Sequence, residues 1–103
     1  MTAMKKDVGP STQDVFEWLR QHPVPAGPSG YLAEWRSGAR GLGGEAIPAL
    51  VEALKTGIHD LQYAAVAALR ELGVDAYASG YAKDLAFWVR LPSEGRPVKV
   101  WPE

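Results

Sequence analysis

At Gly73 the hydrophobic spacing of the chain changes, and no other feature limits its possible folds as much. Before this residue, apolar side chains recur every three to four positions; after it, they alternate with polar ones. A pattern with the helical period does not sit as a strand, nor the reverse. Helices therefore come first and strands second, the order of an α+β fold. About four N-terminal helices are predicted, followed by a small two- to three-stranded antiparallel sheet that ends in a β-hairpin.

The helices carry their own punctuation. Ser11, with Asp14 three residues on, is a capping pattern for "TQDVFEWLRQH", which aligns Val15, Trp18, Leu19 and His22. Pro23 ends that helix, and "PVPAGPSG" can only be a loop. "YLAEWRSGAR" aligns Leu32, Trp35 and Ala39 before "GLGGE" breaks the run. "EAIPALVEALKTG" places Ile47, Leu50, Val51 and Leu54 at helical spacing, with Pro48 in the first turn and Gly57 closing the end. "DLQYAAVAALRELG" follows, with Asp60 read as N-cap, Gly73 as C-cap, and a face of Leu61, Ala65, Ala68, Leu69 and Leu72. So short a connection makes the last two helices antiparallel neighbours, and the alanines let their axes approach.

The stretch "AIPALVEALKTGIHDLQYAAVAALRELG", residues 46–73, resembles one HEAT-type repeat, through "IPALVEAL" in the first helix and "AAVAALRELG" in the second. Gln62 and Tyr63 stand where that family usually has Val-Arg. The resemblance implies a helical hairpin serving as scaffold and protein-binding surface, and it implies no chemistry.

After Gly73, "VDAYAS", "LAFWVRL" and "PVKVW" read as strands, with "GYAKD" a loop and "PSEG" the hairpin turn. An isolated hairpin is marginal in water, so one face must pack on the helices. Phe87, Val89 and Leu91 share one face, and Val98 and Val100 are expected to join them. Directly opposed residues lie on the same face, so Val89 pairs with either Val98 or Val100. Pairing with Val100 would oppose Arg90 to Lys99, two like charges. Pairing Val89 with Val98, and Trp88 with Lys99, is therefore preferred. Either register leaves Trp88, Arg90, Lys99 and Trp101 on the outer face, which is either solvated or covered by "YLAEW" or the proline loop.

With 103 residues, 47% hydrophobic and 22% charged, the chain has the size and composition of one globular domain. Residues 11–103 are read as that single α+β domain, and 1–10, polar and closing on Gly9-Pro10, as a disordered N-terminus. There are no cysteines, which removes disulfides, thiolate metal sites and cysteine nucleophiles. The reducing cytoplasm is the simplest location, and no apolar run suits a signal peptide or a membrane span. Net charge is −1 and evenly dispersed, without the basic excess that phosphate binding requires.

Chemistry has few carriers. His22 sits at a helix end, where the dipole favours it. His59 adjoins Asp60 with no nucleophile marked, and no metal-ligand spacing occurs. No cofactor is expected. Gly41-x-Gly43-x-x-Ala46 fits a relaxed dinucleotide fingerprint, so Arg36, Arg40, Gly43 and Gly44 form the one candidate anion site. A helix precedes this motif where a strand is required, and a helix–helix linker is the better reading.

The expected function is therefore a small non-catalytic protein-interaction or regulatory protein, of inhibitor, immunity or adaptor type. Trp88, Arg90, Lys99 and Trp101 would contact the larger protein partner, because aromatics and arginine dominate interface energetics. A homodimer through the last strand's free edge is a second possibility. A winged-helix nucleic-acid binder, with 87–101 as the wing, is an alternative. Its recognition helix would be "DLQYAAVAALRELG", which offers one arginine against two acids. An enzyme or nucleotide binder using the 41–46 glycine loop is the remaining one.

Overall fold

The computed structural model describes residues 11–25, 29–80, 82–91 and 95–102. The first ten residues, the middle of the proline-rich loop and the tip of the last hairpin lie outside them, and with them the expectation of a disordered N-terminus. Among the described residues four helices precede a three-stranded antiparallel sheet, an α+β fold.

Helix α1 (Thr12–Gln21) starts from the predicted cap. The Ser11 hydroxyl accepts from Asp14 N at 3.1 Å, and Asp14 Oδ2 accepts from Ser11 N at 3.4 Å. Helix α2 (Ser29–Gly41) begins two residues ahead of the expected tyrosine. A 3-10 turn, Gly44–Ala46, leads into the short α3 (Ile47–Ala53), with Pro48 in the first turn where an N–H is not needed. Helix α4 (His59–Glu71) packs against α1, α2 and α3.

Leu50, Leu54, Ala65 and Leu69 are fully buried where α3 meets α4. Val15 and Leu19 from α1, Trp35 and Ala39 from α2, and Phe87 and Val89 from the sheet complete one continuous core. Trp18 is only half-buried, its ring stacked on His22 at 4.5 Å.

The α3–α4 connection contains a buried polar device. Helix ends leave carbonyls without partners. Here Thr56 Oγ1 donates to the Ala53 carbonyl at 2.9 Å, and Gln62 Nε2 donates to the Leu54 carbonyl at 2.6 Å. Gln62 is fully buried, a departure from the expected apolar face. Asp60 is not the N-cap. Ile58 takes that position in extended conformation, and Gln62 N to Ile58 O at 2.9 Å closes the first helical turn. Anchoring Gln62 in the core thus starts the helix at His59, with Asp60 inside its first turn.

Helix α4 ends at a Schellman arrangement. Gly73 has φ of +86°, Gly73 N bonds Arg70 O at 3.1 Å, and Val74 N bonds Leu69 O at 2.9 Å. The chain turns directly into β1 (Asp75–Ser79), and a 3-10 turn (Ala82–Asp84) connects it to β2 (Ala86–Arg90) and then β3 (Val98–Trp101). The strand order is β1-β2-β3. Val89 pairs with Val98 and Trp88 with Lys99, the register that avoids opposed cations.

Beyond that pair the alternation fails. Phe87 pairs with Trp101, so Val100 is an extra residue in a β-bulge between Lys99 and Trp101. The bulge turns Trp101 to the inner face, correcting its expected outward position. Val98 faces inward yet is 46% exposed, at the start of an edge strand.

Candidate functional site

The outer face of the sheet is assembled from β1 and β2 as much as from the hairpin. Tyr77 lies opposite Trp88, and Asp75 opposite Arg90. The Tyr77 and Trp88 rings are 6.3 Å apart and nearly parallel, at 8°. Trp88 Nε1 donates to Ser79 Oγ at 2.9 Å, and Arg90 Nη2 donates to Asp75 Oδ2 at 2.9 Å. Tyr77 and Trp88 are half-buried, while Asp75, Ser79, Arg90 and Lys99 are exposed. Among the described residues, the polar and ring-stacking partners of Tyr77, Trp88 and Arg90 are one another and these two β1 side chains. Trp35 of "YLAEW" packs instead against Trp18, at 5.7 Å between ring centroids, in the helical half of the molecule.

The consequence is a side-chain row held in place from within. A tryptophan stacked on a tyrosine and hydrogen-bonded at its indole loses little freedom when a partner arrives. The same holds for Arg90 against Asp75. Strand alternation in "VDAYAS" already places Asp75, Tyr77 and Ser79 on one face, and the β1–β2 register sets that face beside Trp88.

Trp101 belongs elsewhere. Its ring lies 6.0 Å from Phe87 and 5.6 Å, edge-on, from His59, and the Nε1–Cζ2 side of its indole lies beside Gly57. It ties β3 to the α3–α4 connection. His59 Nδ1 is 2.7 Å from Gln62 Oε1. Because Gln62 gives its amide N–H to Leu54, its oxygen accepts, and His59 Nδ1 carries the proton. His22, at the end of α1, has Nδ1 2.9 Å from Trp18 O.

In the candidate anion site both arginines already have a carboxylate partner. Arg36 Nε donates to Glu71 Oε2 at 2.7 Å and Arg40 Nε to Glu71 Oε1 at 3.0 Å. Both arginines are spent on one carboxylate of α4, clamping α2 to it. The hydrogen bond from Arg40, then that from Arg36, holds the Glu71 carboxyl below its ordinary value of 4.5 against the opposing effect of burial. Gly43 caps and Gly44 opens the 3-10 turn that follows α2, so the strand of a dinucleotide site is replaced by a helix. Among the described residues no three His, Asp or Glu side chains gather to hold a metal ion. No described helix is long and apolar enough to cross a membrane.

One surface was not foreseen. A groove of about 560 Å³ runs between the end of α1 and the start of α4, lined by Leu19, Val24, Ile58 and Tyr63 with Arg20 and Asp60. Val24, Ile58 and Tyr63 are 38%, 57% and 48% exposed. Ile58 could not be read as exposed, since it looks like a continuation of the apolar helix pattern. Comparison with protein-family models, with characterised proteins and with solved structures gives no match to this chain.

Proposed function

We propose that this chain is a non-catalytic protein-binding module, regulatory or adaptor in type, that docks a larger protein on the outer face of its sheet. The observation that carries the reading is the internally braced row of Tyr77, Trp88 and Arg90 on a face the described helices leave open. Interface hot spots favour tryptophan, tyrosine and arginine, and preorganised side chains reduce the entropy lost on binding. Lys99 extends the same face across β3. The HEAT-like hairpin of α3 and α4 supplies the rigid scaffold in this reading, and the dispersed charge supports a protein partner over a nucleic acid.

The test is a Trp88→Ala, Arg90→Ala double variant used as bait beside the unaltered chain in native extract. A specific partner should be retained by the unaltered chain and lost by the variant, with circular dichroism unchanged. Retention of the same partner by the folded variant would move the interface off this face.

A further inference from the structure

The two edges of the sheet are built differently. β3 has four residues, lies between Pro97 and Pro102, carries a bulge and presents Lys99. Short length, flanking prolines, a bulge and a lysine are the means by which an edge strand resists pairing with another chain. β1 has none of them. It is a regular five-residue strand, in unbroken register with β2 from Asp75↔Arg90 to Ser79↔Ala86. In an antiparallel ladder, alternate residues of an edge strand turn their N–H and C=O away from the sheet. Among the described residues, those outward groups of β1 meet no backbone partner.

We propose that β1 pairs antiparallel with β1 of a second copy of this chain, about a two-fold axis at Tyr77. Two three-stranded sheets then become one of six strands. The residue order of β1, Asp-Ala-Tyr-Ala-Ser, is what selects this occupant. A two-fold interface sets each residue against its mirror position. Tyr77 meets Tyr77 of the second copy, Ala76 meets Ala78, and Asp75 meets Ser79. The carboxylate thus faces a hydroxyl donor and no other carboxylate. On the inner face only alanines meet, the smallest side chains that could face one another there. On the outer face the stacked Tyr77–Trp88 pair continues into its symmetry mate, giving a row of four rings. The register satisfies about four to six backbone groups on each side's free edge, whichever alternate set points outward.

The inference does not rest on the docking of a larger protein through Trp88 and Arg90. A chain that captures no partner can still pair through β1, and the substitutions below leave Trp88 and Arg90 in place. Edge pairing alone buries less than the ~1,000 Å² of a stable interface, so association should be weak and concentration-dependent.

Sedimentation equilibrium of the whole chain reads this directly. Between about 10 μM and 1 mM the average mass should rise from 11.1 kDa towards twice that value. Ser79→Asp still offers an oxygen to Trp88 Nε1 but sets a carboxylate against Asp75 of the second copy. It should weaken the dimer at least ~tenfold, and Ser79→Lys should tighten it, since charge across an interface acts by sign. Lys99→Glu on β3 should change neither. A mass fixed at 11.1 kDa over the whole range overturns the proposal. A dimer that responds to Lys99→Glu and ignores both Ser79 variants does so too. If the Ser79 variants fail to fold, mixing isotope-labelled with unlabelled copies of the unaltered chain decides the matter. Cross-peaks between Tyr77 rings of different copies support β1 pairing, and their absence in a sample shown to be dimeric rejects it.

Discussion

In the α3–α4 hairpin, Leu50, Leu54 and Leu69 are fully buried, whereas in β3 Val98 is 46% exposed and Val100 only half-buried. Both segments show a clear apolar period. The difference lies in what stands on each side of them. α4 has helices packed on it and the sheet beneath, so a residue on its inward face is enclosed. Among the described residues β3 pairs with β2 alone and forms one edge of the sheet. Periodicity states which way a side chain points; the layers around the element decide whether that direction is buried.

The comparison breaks first at Leu69. Replacing this enclosed side chain with alanine should cost ~2–5 kcal/mol, the lost transfer energy plus the cavity left behind. Urea denaturation measures it, and a change within error of zero would mean that the hairpin is not the rigid half of the molecule. Gln62 comes next. Gln62→Leu keeps the volume but leaves the Leu54 carbonyl and His59 Nδ1 without their partner, which should cost ~1–3 kcal/mol. A more stable variant would show that the buried amide is a burden in this hairpin.

The Glu71 clamp gives a smaller effect with a pH signature. Arg40 and Arg36 lower the folded-state pKa beneath the ordinary value of 4.5 that approximates the unfolded chain. The contribution is therefore complete above 4.5 and is lost as the pH falls below it and through the folded value. Both arginines are half-exposed, so salt should weaken the clamp as well. The difference in urea midpoint between the unaltered chain and Glu71→Gln should be largest near neutrality and shrink on acidification. A difference that grows in acid would reverse the sign of the linkage.

What could be read in advance follows the same division. The helices, the α+β order and the Val89–Val98 register were legible, because spacing and like-charge avoidance act between neighbours in sequence. Gln62 was not, since its acceptor is a backbone carbonyl on the preceding helix and a carbonyl leaves no mark in residue type. Neither was the inward turn of Trp101, because strict alternation gives no sign of an extra residue at Val100. Trp88, Arg90 and Lys99 were placed on the outer face correctly. Their bracing by Tyr77, Asp75 and Ser79 needed the β1–β2 register. Arg36 and Arg40 were legible as cations, but only the packing of α2 on α4 brings Glu71 to both.

Val98 gives the smallest expected effect and the sharpest test of the comparison. It faces the same side as Val89, which is 3% exposed, yet it keeps 46% of its surface open. Val98→Thr preserves the branched shape that a strand favours and adds a hydroxyl that water can reach. At an exposed edge such a change should stay within about 0.5 kcal/mol. Val89→Thr, one strand further in, puts the same hydroxyl where it must find a buried partner, and should cost ~1–3 kcal/mol. The two substitutions are chemically identical and sit directly opposite each other, so strand propensity and side-chain entropy cancel between them. Only cover differs. Equal costs at the two sites, measured by denaturant unfolding, would mean that another part of the chain or a second molecule closes over β3 in solution, and the contrast between enclosed and open strands would fail.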